Sequence, residues 1–425
     1  MDYELLVFVT MVAVFVGGCF IFKLPVALSL VLSSVSGAMV AGEGVPLRHL
    51  VEGTFSFLDT NLVIASAMIY MKVLQQSGVL DTIGRQVTET FHNRPSLLLM
   101  ALMMLIMFPG MITGSSTACV FTTGALVAPV FMHMGIPRID TAAIIAIGAL
   151  LGMIAPPVSI PAMIIGEGID MPYVGFALPL MILTFPIALI FVLLKGRGFI
   201  RKGVDIQDLI ARMPPSLYRE HGLKLYLPLV ILFLLMILPK ISPRHIYDPG
   251  LPFDFMAATV IGLFTGKRVH LFRAAKEAMR DAIPVMGILA GVGMFIQIMT
   301  LTGARGFFVV ESLGLPKALL LIAVATAIPA FGAVSAFGSA SVLGVPFALA
   351  LLGRDHILAV SALSLVSSLG DLVPPTALAG MFAAQVLKVD NYFKVLRKCL
   401  VPAIIIDAIG ILALVWANWG GRWSW

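Results

Sequence analysis

Four hydroxyl side chains crowd one short apolar stretch: Thr113, Ser115, Ser116 and Thr117, with Gly114 among them. A comparable set follows later in the chain, made of Gly332, Ser335, Gly338, Ser339 and Ser341. Hydroxyl oxygens, together with carbonyls that glycine lets turn away from helical geometry, suit Na⁺ or a small polar solute. The N-terminal ends of broken helices suit a carboxylate. Each set is followed by G-x-x-x-P-P-x-x-[IL]-x-x-M. Gly152, Pro156, Pro157 and Met163 recur as Gly370, Pro374, Pro375 and Met381, all 218 residues on (370 − 152, 381 − 163). Pro129 and Pro346 are 217 apart (346 − 129), and Thr376 follows the second proline pair. One such cluster is what close helix packing alone uses. Two interrupted stretches at matched positions point instead to a transport site shared between halves.

Charge inside these stretches is scarce. Asp371 lies between apolar residues, and a carboxylate there needs a proton, a cation or an interface with water. Asp407 poses the same question without a repeated motif around it, whereas Lys72 and Glu167 read as solvated span ends. No Lys or Arg lies within the two apolar core stretches, so an anionic cargo would be neutralised by helix dipoles and co-transported cations. Enzymatic alternatives find little support. The seven histidines fall mostly in loops, and there is no H-E-x-x-H, G-x-S-x-G or Walker A sequence. The G-D…P-P run superficially resembles an intramembrane aspartyl enzyme, but Asp407 follows Asp371 where a second acid should precede it. A non-transporting membrane scaffold is the other alternative class.

The elements that must position these residues are membrane spans. Hydrophobic residues make up 60% of the 425 positions and charged ones 12%, with mean hydropathy +1.03. That is too little charge to coat a soluble surface. We expect an all-α polytopic membrane protein with two repeats and discontinuous, re-entrant helices. The first repeat is 1–195, with its half-site in 96–168. A basic linker follows at 196–224, and the second repeat is 225–425, with its half-site in 318–388. Met1–Glu4 lacks a basic segment, so the first apolar run reads as a retained span. Gly42–Asp59 reads as a mixed polar loop, Asn61–Leu74 as a short apolar segment, and Leu97–Met107 as a span running into the first cluster. Basic residues gather in Lys195–Lys224 and again at Lys267, Arg268, Arg273, Lys276 and Arg280, with two spans between them. Both loops should therefore be cytoplasmic. Basic character of this kind predicts lipid headgroups as neighbours, with no nucleic acid involved. Four tryptophans near the end (416, 419, 423, 425) predict an interfacial belt. Cys19, Cys119 and Cys399 have neither metal-ligand nor disulfide spacing.

The order SGVLDTIG, TGSSTACVFTTGALVAP, G-x-x-x-PP-x-x-IPAMIIG, then TGARG, FGAVSAFGSASVLGVP and GDLVPPTALAG resembles the large membrane subunit of tripartite ATP-independent periplasmic (TRAP) transporters of the C4-dicarboxylate type. The resemblance covers nearly the whole chain. It implies a Na⁺-driven elevator-type importer in the bacterial inner membrane, whereas Asp371 is what points to H⁺ as the other coupling ion. The implied partners are a small membrane subunit, a periplasmic solute-binding protein and a small carboxylate cargo. No cofactor is implied. It also implies one cation site at Ser115, Ser116, Gly152 and Pro156 and another at Gly332, Ser335, Gly370 and Pro374. Thr113, Thr117, Ser339, Asp371 and Thr376 are left for substrate or coupling. The chain departs from the family pattern in having Cys119 and Ala336 where acids are usual, and Asp371 where they are not. A stand-alone carrier of related architecture, for citrate- or arsenite-like anions, is the runner-up.

Overall fold

A computed structural model describes residues 3–199, 210, 213–242, 244–351, 353 and 355–419. Residues 200–209, 211 and 212 of the 196–224 linker, and Trp423 and Trp425 of the expected aromatic belt, lie outside them. The described residues form helices joined by turns and short loops, with no strand among them. Seven helices are long and apolar enough to cross a membrane, or eight if the pair Leu47–Phe55 and Leu58–Ser77, bent by 43°, counts as one span.

In chain order the helices are α1 (Tyr3–Phe20), α2 (Val26–Val40), α3 (Leu47–Phe55), α4 (Leu58–Ser77), α5 (Val79–Phe91), α6 (Pro95–Thr113), α7 (Ser116–Cys119), α8 (Ala125–His133), α9 (Arg138–Ile154), α10 (Ile160–Gly168) and α11 (Ala177–Gly196). The second half runs α12 (Tyr218–His221), α13 (Leu227–Ile241), α14 (Leu251–Thr265), α15 (Leu271–Leu301), α16 (Ala304–Gly314), α17 (Lys317–Gly332), α18 (Ala336–Ser339), α19 (Val345–Ala350), α20 (His356–Ser368), α21 (Leu378–Val386) and α22 (Tyr392–Trp419). From α4 onward the two halves share an order. Gly78 (φ 80°) turns α4 into α5, and Gly303 (φ 75°) turns α15 into α16, each in the left-handed region glycine favours. SGVLD and TGARG are those two turns.

Two bodies of packing result. The first joins α1, α2, α3, α4, α14 and α15, with α15 against α2, α3 and α4. At the α3–α15 crossing a methyl group on Gly53 would stand 2.6 Å from the Gly293 carbonyl oxygen, so only glycine lets these backbones meet. The second body surrounds α9 and α20. Every residue of α9 from Asp140 to Ile154 is buried, as is every residue of α20 from Leu358 to Ser368. Helices α6, α10, α11, α21 and α22 pack around this pair. Lys398 of α22 reaches the buried Asp140 at 3.1 Å.

Several boundaries differ from the sequence reading. Gly42–Asp59 contains all of α3, because its polar residues face outward while Leu50 and Gly53 are buried. Asn61–Leu74 is the middle of the 20-residue α4, and Leu97–Met107 extends to Thr113 through Pro109. The second basic loop is mostly helix: Arg273, Lys276 and Arg280 belong to the first turns of α15. Helix α11 runs unbroken from Ala177 to Gly196 with Pro186 inside it. Lys72 is not a solvated span end. It is 22% exposed and paired with Asp281 at 3.3 Å.

Candidate functional site

The first hydroxyl cluster is the tip of a hairpin. Helix α6 ends at Thr113, Gly114 turns the chain at φ 63°, and Ser115 is extended. The chain then returns through Ser116–His133. Ser115 Oγ accepts a hydrogen bond from the Ala118 N–H at 3.3 Å. The second cluster repeats the arrangement: Ser335 is extended and its Oγ accepts from the Gly338 N–H at 3.2 Å. Both return arms then make a π-helical turn, Val120–Gly124 and Ala340–Gly344. Tip geometry therefore repeats at 220 residues (335 − 115, 340 − 120), not 218. In that register Pro346 is not the counterpart of Pro129: it opens α19, whereas Pro129 lies within α8. Each serine thereby satisfies one of the otherwise unpaired N–H groups at its helix start. We expect Ser115→Ala and Ser335→Ala each to lower stability by about 1 kcal/mol, read as a lower melting temperature of the purified protein.

The G-x-x-x-P-P motifs break the neighbouring helices. Pro156–Pro157 and Pro374–Pro375 are both cis, lying between α9 and α10 and between α20 and α21. Each break is bonded to its own hairpin in the same manner. The Val158 N–H donates to the Met111 carbonyl at 3.0 Å, and the Thr376 N–H donates to the Ala333 carbonyl at 3.4 Å. Thr376 adds its hydroxyl to that carbonyl at 2.9 Å. Glycine pairs allow the approach: a methyl on Gly110 would meet the Gly152 carbonyl carbon at 2.7 Å, and one on Gly332 the Gly370 Cα at 2.6 Å.

Both tips face one cavity of about 650 Å³. Thr113, Ser115, Ser116, Thr117, Ser335, Asp371 and Thr376 line it. Gly152, Pro156, Gly332, Gly370 and Pro374 do not line it. They shape the breaks and crossings that hold the lining groups. Ser339 is also drawn elsewhere, since its hydroxyl is buried and donates to the Ile328 carbonyl at 2.6 Å. The far wall comes from the first body: Met68, Met71, Lys72 and Gln75 of α4, and Arg280, Asp281 and Pro284 of α15.

Asp371 joins the halves. It is 4% exposed, and the Ser116 hydroxyl of the opposite half donates to its carboxylate. Among the described residues no cationic side chain is paired with it. The nearby Lys72 is held by Asp281, with Glu277 at 4.0 Å. Tyr392 donates its hydroxyl to the adjoining Leu372 carbonyl, fixing the turn on which Asp371 stands. The arrangement can coordinate a small cation with hydroxyl oxygens and balance one positive charge at Asp371. It offers no nucleophile–base pair for covalent chemistry.

Three features escaped the sequence reading. Ser159, at the start of α10, has a fully buried hydroxyl without a hydrogen-bond partner in the first break. The α4 and α15 wall was missed because Lys72 reads as a span end. A second cavity of about 680 Å³ lies at the opposite ends of α4 and α15. Asp59, Thr60, Glu167, Asp170, Tyr173, Gln297 and Arg305 are among its lining residues. Two bonds cross it: Thr60 Oγ1 of the first body donates to Glu167 of the second at 2.8 Å, and Arg305 of α16 donates to the Gly168 carbonyl at 2.6 Å. Glu167 is thus a bonded cavity residue and not a free span end.

Residues 8–419 match the family described as "Tripartite ATP-independent periplasmic transporter, DctM component". No curated protein matches the chain. The fold is similar to the crystal structure of the YdaH transporter of Alcanivorax borkumensis, with a TM-score of 0.64 and 16% identity, covering 98% of each chain.

Proposed function

Because the chain belongs to the DctM component family of tripartite ATP-independent periplasmic transporters, we propose that it is the large permease subunit of a Na⁺-driven importer for a small organic acid. The family is one of transporters, and the aspartyl-enzyme reading falls with that membership. The cargo class in this reading is a C4-dicarboxylate or related carboxylate, handed over by a periplasmic solute-binding protein. A small membrane subunit completes the assembly in the bacterial inner membrane. The observation that carries the reading is the meeting of two capped hairpin tips and the second helix break around one hydroxyl-lined cavity. Such breaks place carbonyls and hydroxyls where an ion can shed water. Ser115, Ser116 and Ser335, which line the cavity, fit a hard monovalent cation that prefers oxygen ligands.

With the basic side as the cytoplasm, the cavity at the tips opens inward and the Arg305 cavity faces the periplasm. The body built on α9 and α20 would then move against the one built on α4 and α15, as an elevator, exchanging the two openings. The Thr60–Glu167 bond, which joins α4 to α10, would break on each cycle. A proton carried on Asp371 is the second reading of the coupling, favoured by burial of that carboxylate without a fixed cation.

Proteoliposomes test this directly. We expect uptake of radiolabelled cargo to need the binding protein, the small subunit and an inward Na⁺ gradient together. Uptake by this chain alone would establish the stand-alone carrier. Uptake driven by a pH gradient in the absence of Na⁺ would select the proton.

A further inference from the structure

We infer that the cargo is a zwitterionic carboxylate, bearing a cationic nitrogen beside its carboxyl group, and that Asp371 is the residue that selects the nitrogen. The inference rests on the transporter reading above and narrows its cargo class, excluding simple dicarboxylates. Its two supports are independent and lie in different cavities.

The first is the Arg305 cavity. Three carboxylates line it, Asp59, Glu167 and Asp170, against the single guanidinium of Arg305. That guanidinium is already engaged with the Gly168 carbonyl. Walls of one sign in a low-dielectric cleft concentrate ions of the opposite sign and repel their own. A dianion entering here meets an excess of negative charge. A zwitterion carries no net charge and presents a positive end to these walls.

The second is the base of the tip cavity. Asp371 is nine-tenths buried and lines the cavity, with the neutral Ser116 hydroxyl as its hydrogen-bond donor. A buried carboxylate requires a compensating positive charge when the site closes. Lys72 is committed to Asp281 and Glu277 across the cavity. A cargo nitrogen supplies the charge, and the cargo carboxylate then reaches Arg280 and the hydroxyls of Ser115, Thr117 and Ser335, which line the same space. A dicarboxylate would set one of its charges against Asp371, and like-charge contacts of this kind are the usual means of rejecting a wrong partner.

The test uses the full chain in lipid nanodiscs with Na⁺, read by melting temperature against ligand concentration. The probes are proline and glycine betaine as zwitterions, and succinate as the dianion. We expect both zwitterions to raise the melting temperature and succinate to leave it unchanged. Asp371→Asn should weaken zwitterion binding at least about 30-fold, as truncating one member of a buried charge pair does. Asp371→Glu, which keeps the charge, should bind within about tenfold of the parent. Stabilisation by succinate equal to that by the zwitterions overturns the inference, and so does no response to either zwitterion. Unchanged zwitterion affinity in Asp371→Asn overturns it too. Stabilisation by Na⁺ without any organic probe is read separately. If it persists while the zwitterions fail, this inference falls and the transporter reading stands.

Discussion

Vesicles carrying Asp371→Asn are expected to take up cargo at least about 30-fold more slowly than the parent at sub-saturating cargo. The carboxylate is the one charge standing where the two hairpin tips and the second helix break converge, and it is bonded across the halves by Ser116. Replacing it with a neutral amide removes the group that balances a positive charge there, a change that costs about 2 kcal/mol or more at a buried pair. Ser116→Ala should act in the same direction but more weakly, by about tenfold, because a hydrogen bond to a charged group contributes roughly 1.5 kcal/mol or more. Initial rates across pH and Na⁺ concentration sort the roles of the carboxylate. Loss of Na⁺ dependence in Asp371→Asn would make Asp371 a Na⁺ ligand. A pH slope present in the parent and absent from the variant would make it the proton carrier. Wild-type pH and Na⁺ profiles in the variant would remove it from ion coupling altogether.

The largest effect on stability is expected at Gly293→Ala. A methyl group there would overlap the carbonyl oxygen of Gly53, and the reciprocal methyl on Gly53 would stand 2.8 Å from the Met294 Cα. Both obstacles are backbone, so neither can swing aside as a side-chain tip does. Helices α3 and α15 would have to separate, at a cost of about 3 kcal/mol. The comparison is Gly306→Ala in α16, where nothing lies within 4 Å of the added carbon. That change should be neutral or stabilising by about 0.5 kcal/mol, since glycine is a poor helix former. Equal melting temperatures for the two variants would show that the α3–α15 crossing is not under the constraint described.

Much of the site was legible because its parts are local. Gly114 reads as the point where the backbone leaves helical geometry, and the tip turns there. The proline pairs read as breaks in apolar helices and stand at breaks. What could not be read depends on distance along the chain. Ser116 and Asp371 are 255 residues apart, and nothing local to either marks the other as its partner. The wall formed by Lys72, Arg280 and Asp281 was hidden for a related reason. A lysine near a span end looks solvated until a helix more than 200 residues later brings an acid to it. Helices α3 and α5 were missed because hydropathy averages both faces of a helix. Both are short and amphipathic, so their polar faces masked the buried residues Leu50 and Leu80. Register was misread by three residues at the tips, 217 at Pro129 and Pro346 against 220 in the tip geometry, because the breaks and the tips repeat at different spacings.

Helix α15 is the longest among the described residues. At 31 residues it is about 46 Å long, against roughly 30 Å of hydrocarbon in a typical bilayer. Arg273, Lys276 and Arg280 occupy its first turns, and Gly293, Ile296 and Gln297 line the Arg305 cavity near its other end. The excess length must be taken up by tilt or by reaching into the headgroups. Either way, the basic turns lie at the depth of lipid phosphates while the same rod walls both cavities. Membrane thickness and anionic lipid content thus act on the two openings together. Reconstitution in short-chain, long-chain and anionic lipids is therefore part of the chemistry of this site, not only a choice of solvent.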